Sequence, residues 1–198
     1  MTSMQTLRRD AAANRERLIV AAIEIFNTDG IEAGVEQIAQ RAGVGVGTLY
    51  RRFPTKEALI AHLVDELLSQ MIAAADHARE MAGGHGLEQY VRAIGDQLSR
   101  RRGCLSRLWG GGDITRIQEL RARQHALLID AQEAGVICAD IGATDLTLLL
   151  WSLRGIVESS GDAAQRAGRR HLDIVFAGPR PGAATLTHPP LSARQFSP

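Results

Sequence analysis

The sequence predicts an all-α protein with a small N-terminal helical domain and a larger C-terminal helical domain. Apolar residues recur at helical spacing from about residue 10 to residue 177, and Pro54 is the only proline in that range. The other five of the 6 prolines follow Gly178, in a segment with few large apolar residues. We therefore expect domains at 8–54 and 55–178 and an irregular or disordered tail at 179–198.

Composition excludes several classes of protein. The chain has 198 residues, 45% of them hydrophobic, and its 23 Lys+Arg against 22 Asp+Glu give a net charge of +1, which alone does not point to a nucleic-acid partner. No apolar stretch is long enough for a membrane span and no signal peptide is recognisable, so we expect a cytoplasmic protein with no membrane partner. Cys104 and Cys138 form no CxxC motif. They are interpreted as small buried side chains, with a redox-sensing thiol as the alternative.

Three helices are predicted in the first domain. The first begins near Asp10, a good N-cap, ends at Gly30, and buries Leu18, Ala22, Ile25 and Phe26. The second runs from 34 or 35 to 42 and buries Val35, Ile38 and Ala39, with Gly43 as a left-handed C-cap. The third spans 46–53, because Pro54 cannot continue a helix.

The remaining helices are separated by glycine-containing turns. Thr55 caps a long fourth helix, 56–81, whose first turn contains Glu57. Its apolar stripe is wide enough to pack on two neighbours. Further helices are predicted at 87–101, 104–109, 113–134 (with Asp113 as N-cap), 143–159 and 162–177.

The segment from Val35 to Leu59 has the spacing of a helix-turn-helix. Two short helices are joined by a glycine-containing turn, an arrangement in which the second helix enters the major groove. Residues 37–56 contain the cations Arg41, Arg51, Arg52 and Lys56 and no acid. The local charge therefore favours DNA binding although the total charge does not.

The same segment resembles the tetracycline-repressor (TetR) family of bacterial transcriptional regulators. The similarity lies in NRERLIVAAIEIF, Gly30, IAQRAGVGVGTLYRRF and TKEAL, about fifty residues in all. Two positions depart from the family pattern, since Gly34 and Gly45 stand where the family often has Thr and Ser. Each departure removes a hydroxyl that caps a helix or contacts a phosphate. Glycine is nearly as good an N-cap, so the departures affect expected phosphate contacts and not the fold.

The resemblance implies a set of DNA contacts. Val46, Gly47 and Thr48 open the recognition helix against the base edges, with Tyr50, Arg51 and Arg52 beside them on phosphates, and Leu49 and Phe53 pointing into the core. Thr55 and Lys56 form a phosphate clamp at the start of the fourth helix, and Arg15 and Arg17 reach the backbone. Arg8 and Arg9 are either a disordered tail or a minor-groove arm. Tyr50 as a core aromatic and Arg52 as a solvated arginine remain alternatives.

The second domain is expected to supply dimerisation and a ligand site. The helix at 143–159 is apolar nearly all round, with Leu148 and Trp151 outside its main stripe, and the next helix supplies Ala167, His171, Ile174 and Val175. By resemblance these two helices form a four-helix bundle with a second copy. An unknown small-molecule effector would bind among the fourth to eighth helices; candidate residues are Met71, Trp109, His125, Trp151 and Arg154, each of which also has a structural interpretation.

Two competing functions are weighed against a ligand-responsive repressor. An enzyme is disfavoured because the 6 histidines form no metal-spacing pair, and no nucleophile elbow or phosphate loop occurs; no cofactor, metal or catalytic residue is predicted. The pair His62 and Glu66 is interpreted as a surface hydrogen bond. A DNA-binding protein of the same fold without a ligand is the other alternative, favoured by a fully packed C-terminal core.

Overall fold

The protein is all-α in the part of the chain that the structure describes. A computed structural model describes the backbone of residues 2–104, 107 and 113–178, and side chains from residue 12 onward within those ranges. Its helices are α1 (Thr2–Asp29), α2 (Val35–Ala42), α3 (Val46–Arg52), α4 (Lys56–Arg79), α5 (Gly86–Arg100), α6 (Ile114–Glu133), α7 (Ala143–Ser159) and α8 (Ala164–Ala177). Short 3₁₀ turns occupy Ala82–Gly84, Arg102–Cys104 and Gly161–Ala163. The predicted fold class is confirmed.

Local signals located most helix ends within two residues of the observed ones. Asp113 caps α6, since its Oδ1 accepts from the Thr115 N–H at 2.8 Å, and Thr55 Oγ1 accepts from the Ala58 N–H at 3.0 Å. The start predicted near Asp10 is wrong, because α1 begins at Thr2. Residues 2–9 contain neither Gly nor Pro, so nothing in their backbone stops the helix from extending. The helix predicted at 104–109 and the tail at 179–198 fall largely or wholly outside the described residues.

The chain divides into two compact units. The first contains Met1–Glu66 and Arg100–Gly112, and the second contains Leu67–Ser99 and Asp113–Pro198. Helix α4 contributes its N-terminal half to the first unit and its C-terminal half to the second. The predicted domains, 8–54 and 55–178, are functional divisions and stay a prediction.

The first unit has a core built from the apolar faces of α1 to α4. Among the predicted residues of α1, Leu18, Ala22 and Phe26 are buried and Ile25 is half-buried. All three predicted residues of α2, Val35, Ile38 and Ala39, are buried as well. Helices α2 and α3 have only 8 and 7 residues, so their stability depends on this shared apolar contact more than on helix propensity.

The end of α1 is tied to the turn that follows α5, within the first unit. Asn27 Nδ2 donates to the Arg100 carbonyl at 2.7 Å, and the Gly103 N–H donates to Asn27 Oδ1 at 2.9 Å. A Cβ on Gly103 would lie 2.0 Å from the Phe26 carbonyl oxygen, so only glycine permits this approach. Nearby Cys104 is buried, and burial raises its pKa to about 11, which leaves little reactive thiolate.

The second unit has a tightly packed apolar core with one buried polar pair. Met71, Ile94 and Leu98 are almost completely buried. Tyr90 is fully buried, and its hydroxyl accepts a hydrogen bond from Gln124 Nε2 at 2.8 Å. Burial raises the pKa of Tyr90, so the phenol stays neutral and the pair satisfies its polar atoms internally.

Helix α4 combines length with a high hydropathy. An 18-residue window in it has a mean hydropathy of 1.4, which would suffice for a membrane span by length and composition. In the fold, however, 44% of that window is buried, including Leu63, Leu67 and Leu68. The hydropathy of α4 is therefore explained by its place in the two cores.

Candidate DNA-binding surface

The connection between α2 and α3 has the geometry of a helix-turn-helix. Gly43 ends α2 in the left-handed conformation, with φ 65, and its N–H donates to the Gln40 carbonyl at 3.1 Å. The chain turns within two further residues, and Gly45 is the N-cap of α3. On the other side of α2, the Gly34 N–H donates to the side chain of Gln37 at 3.0 Å. Gln37 thus supplies an N-terminal hydrogen bond where the cap residue has no side chain.

The recognition helix α3 buries one side and exposes the other. Leu49 and Phe53 are buried in the core of the first unit, as predicted. Gly47 is exposed, and a Cβ built on it would meet no atom within 4 Å. Tyr50 is 44% exposed, which excludes the alternative of a core aromatic. The start of α3 can therefore be approached closely from outside the protein.

A cationic cleft lies between α1 and α3. It has a volume of about 220 Å³ and is lined by Asn14, Arg15, Leu18, Thr48, Arg51 and Arg52. Arg51 Nη2 donates to Thr48 Oγ1 at 3.1 Å, so this guanidinium is oriented beside the start of the helix. None of the lining residues is acidic. The cleft combines three guanidinium groups with hydroxyl and amide groups, which is the chemistry that binds phosphate oxygens.

His62 holds Arg15 at this cleft, and the sequence interpretation of His62 is wrong. Arg15 Nη2 lies 2.7 Å from His62 Nε2, whereas His62 Nε2 and Glu66 Oε2 are 4.0 Å apart. The imidazole is half-buried, with its ring centroid 5.5 Å from that of Phe53. Burial and then the Arg15 charge lower the pKa of His62, so the neutral ring accepts the hydrogen bond. Sequence spacing could not reveal this contact, which joins residues 47 positions apart.

Two cations of the acid-free segment are paired with acids from elsewhere in the first unit. Arg41 Nε lies 2.6 Å from Glu24 Oε2, and Lys56 Nζ lies 4.0 Å from Glu32 Oε2. Arg17 donates to the side chain of Asn14. Of the four cations in residues 37–56, only Arg51 and Arg52 therefore have no acid partner among the described residues. Arg8 and Arg9 lie outside the residues with described side chains.

The candidate ligand residues that the structure describes lie in different environments in the second unit. Met71 is a core residue, 1% exposed. Arg154 Nε donates to Glu158 Oε1 at 2.9 Å on α7, and Trp151 is half-buried on the same helix. His125 lines a cleft of about 160 Å³ between α6 and α7, and no other described candidate lines it. Trp109 lies outside the described residues.

The helix pair α7 and α8 exposes an apolar face. Leu148 is 38% exposed and Ile174 is 60% exposed, while Leu150, Leu153 and Leu172 are buried. Ser152 Oγ and His171 Nε2 are 3.0 Å apart and join the two helices at this face. Gly155 is also exposed, with nothing within 4 Å of a built Cβ. Such a face on two adjacent helices is typical of a helix-bundle interface.

Comparison with known proteins identifies the family. A sequence model described as "Bacterial regulatory proteins, tetR family" matches residues 18–63. A TetR transcriptional regulator from Streptomyces coelicolor has a similar structure, with a TM-score of 0.63 and 34% identity, covering 85% of this chain and 99% of that one. The chain belongs to the TetR family. It is accordingly a transcriptional regulator with an N-terminal helix-turn-helix and a C-terminal helical domain.

Two other proteins are also similar to this chain, one in sequence and one in structure. An HTH-type transcriptional regulator of Staphylococcus aureus (strain bovine RF122 / ET3-1) is 36% identical over 67 residues, which is 33% of this chain. The matched region spans only 36% of that relative. A gamma-butyrolactone receptor (ArpA like protein) shares the fold, with a TM-score of 0.66 and 21% identity, covering 87% of this chain and 91% of that one. The sequence similarity to the Staphylococcus aureus relative is thus concentrated in the helix-turn-helix domain, while the structural similarity to the other two covers both domains.

Proposed function

We propose that this TetR-family regulator is a repressor that binds a partly palindromic duplex operator as a homodimer and releases it on binding a small molecule. The observation that carries the proposal is the cationic cleft beside the start of α3, with Arg15, Arg51 and Arg52 along its walls. Repression by occlusion of a promoter needs no further surface on the protein. It is therefore favoured over activation, and we expect the protein to act in the cytoplasm.

Two kinds of DNA contact are assigned. Val46, Gly47 and Thr48 are proposed to face the base edges, because the exposed backbone at Gly47 allows close approach and Thr48 offers a methyl and a hydroxyl. Phosphate contacts are assigned to Arg15, Tyr50, Arg51, Arg52, Thr55 and Lys56. Lys56 is the weakest of these assignments, since its ammonium lies 4.0 Å from Glu32.

Dimerisation is assigned to α7 and α8. The exposed Leu148 and Ile174, together with the open position at Gly155, supply an apolar surface with room for a neighbouring helix. Two copies would form a four-helix bundle and present two recognition helices to successive major grooves. Half-sites would then be about 34–36 Å apart or more, and the operator would share the twofold symmetry of the protein.

The effector is assigned to the second unit. The cleft lined by His125 gives a ligand access to that unit, and the fold shared with a gamma-butyrolactone receptor is compatible with a small organic effector. The alternative is a DNA-binding protein of the same fold with no ligand. The close packing around Met71 and Leu98 favours this alternative. Thermal-shift screening of a metabolite panel distinguishes the two, because a ligand of the folded state raises the melting temperature.

Fluorescence polarisation with duplexes from the region upstream of the protein's own gene tests the DNA-binding proposal. We expect one duplex to bind much more tightly than a scrambled duplex of the same composition. The logarithm of its affinity should fall steeply and linearly with the logarithm of salt concentration, because phosphate contacts release counterions. Equal affinity for the scrambled duplex at every salt concentration would refute sequence-specific binding.

A further inference from the structure

The cleft between α6 and α7 has polar and apolar walls that are both built into the second unit. One wall comes from α6 and contains Arg121, Gln124 and His125. The opposite wall comes from the start of α7 and includes Ala143, Leu146 and Thr147. Arg121, Gln124 and His125 are three and four residues apart on one helix, so they share a face. The cleft volume is about 160 Å³, close to the ~150 Å³ that accommodates benzene in a protein cavity.

The guanidinium of Arg121 in this cleft has no acid partner among the described residues. Several other arginines of the second unit, though not the exposed Arg166, have acid partners among the described residues: Arg79 with Asp130 at 3.4 Å, Arg92 with Glu88 at 2.8 Å, and Arg123 with Asp76 at 2.7 Å. In the part of the chain that the structure describes, Arg121 makes no hydrogen bond or ion pair, and neither does His125. A guanidinium presents five N–H donors, and here all five remain available to a ligand.

A buried amide forms the base of the polar wall. Gln124 is only 8% exposed, and its Nε2 donates to the buried Tyr90 hydroxyl at 2.8 Å. Tyr90 thereby fixes the orientation of the amide. Among the described residues the amide has no second hydrogen-bond partner, so the half that is not bonded to Tyr90 is open to a ligand in the cleft. A ligand that bonds the free half of this amide meets a polar group whose orientation the fold has already fixed, so less ordering entropy is lost on binding.

The α7 wall offers a short apolar contact. Leu146 is buried beside the cleft, and Ala143 lies next to it at the start of the helix. Thr147 Oγ1 donates its proton to the Ala143 carbonyl at 3.1 Å, which leaves the oxygen lone pairs as acceptors. The cleft therefore combines one guanidinium, one imidazole, one fixed amide and a small apolar surface.

We propose that this cleft binds a small organic carboxylate, one with a single ring or a short aliphatic chain. The carboxylate accepts hydrogen bonds from Arg121 and His125, the buried amide of Gln124 bonds a polar substituent, and Leu146 and Ala143 contact the hydrocarbon part. This inference deepens the proposed effector function and rests on it for its biological role. Binding of the carboxylate itself depends only on residues of the second unit.

Benzoate and benzamide are suitable probes, because they have nearly the same shape and differ in charge. Titrations of the full chain without DNA, followed by ¹H–¹⁵N NMR or calorimetry, give the two dissociation constants. We expect benzoate to bind about tenfold more tightly than benzamide, since hydrogen bonds to a charged group exceed those between neutral groups. Arg121→Gln should abolish this preference. Arg166→Gln is the matched control, because Arg166 is an exposed arginine on α8 that does not line the cleft.

The outcomes separate the site from its regulatory role. Equal binding of the two probes, or a preference for benzoate that persists in Arg121→Gln, would overturn the proposed site. A preference that disappears in Arg121→Gln and not in Arg166→Gln supports it. Polarisation of a bound operator duplex is a second readout: release by benzoate in the wild type but not in Arg121→Gln supports the effector role. Arg121-dependent binding without release would overturn that role and leave the site standing.

Discussion

Two exposed surfaces of this protein have opposite chemistry. On α3 the exposed side chains include Arg51 and Arg52 in the last turn, and Arg51 is bonded to Thr48 and not to an acid. On α7 and α8 the exposed side chains include Leu148 and Ile174. The arginines of these two helices include Arg154, paired with Glu158, and Arg169, paired with Asp96. The comparison supports the two proposals made above, that unpaired charge on α3 contacts DNA and that exposed apolar area on α7 and α8 contacts a second copy.

Of the variants considered, Gly155→Leu should weaken operator binding the most. It changes the apolar surface alone. The protomer has room for the new side chain, because a Cβ at this position meets nothing within 4 Å. A neighbouring helix in a bundle has no such room. We expect a folded monomer in sedimentation and operator binding weakened about 100-fold, since the two half-sites are no longer bound by one particle. Ala73→Leu, at an exposed position of α4, is the control and should remain dimeric. A dimer of unchanged affinity in Gly155→Leu would contradict the assignment of this surface.

Arg51→Ala tests the cationic surface against an arginine of the other region. We expect operator binding to weaken about thirtyfold, because a dimer loses two phosphate contacts of about 1 kcal/mol each. The slope of log affinity against log salt should also decrease. Arg169→Ala removes an exposed, acid-paired arginine and should leave DNA affinity and stability near wild type. Equal weakening of DNA binding in both variants would contradict the claim that unpaired arginines contribute more to DNA binding than acid-paired arginines do.

Thr48→Ala and Lys56→Ala distinguish the two roles of the cationic surface, which are base recognition and phosphate binding. Thr48→Ala should change the relative affinity for operator variants about fivefold, which corresponds to about 1 kcal/mol for a base contact. Lys56→Ala should weaken binding to all duplexes alike. Polarisation measurements with a set of single-base operator variants provide the comparison. A uniform loss in both variants would remove Thr48 from base recognition.

The smallest expected effect is the change in stability with pH that His62 causes. The pKa of His62 is lowered from 6.5 by burial and by Arg15, so the unfolded chain takes up a proton at a pH at which the folded protein does not. The free energy of unfolding should therefore fall as the pH decreases below about 6.5. His62→Gln keeps an acceptor for Arg15 and has no titrating ring, so its stability should fall less. Urea midpoints at pH 8 and pH 5 measure this difference. Identical pH dependence in the two proteins would contradict the Arg15–His62 contact.

Much of the helix-turn-helix was predictable because its signals are local. Gly43 in the left-handed conformation and Leu49 and Phe53 in the core were predicted from neighbours a few residues away, and so was Asp113 as the N-cap of α6 in the second unit. The long-range contacts were not predictable in this way. Asn27 and Gly103 are 76 positions apart, and no feature of either residue's surroundings in the sequence indicates the bond between them.

For the candidate DNA surface, too, the local features were predictable and the long-range contacts were not. The sequence located the cations and showed no acid among residues 37–56. Glu24 and Glu32 come from outside that segment and lie beside Arg41 and Lys56. Arg15, which is distant in sequence, lies beside Arg51 and Arg52 in one cleft. The net charge of a segment therefore overestimated the free charge of the surface.

The sequence by itself determined the helical fold class, the helix-turn-helix and the family resemblance, because caps, glycine turns and apolar periodicity act over a few residues. Only the tertiary structure decided which cations are neutralised, which apolar residues stay exposed on α7 and α8, and that Arg121, Gln124 and His125 face α7 across a cleft. Charge pairing and burial depend on distances in space. The folded chain sets those distances between residues that are far apart in the sequence.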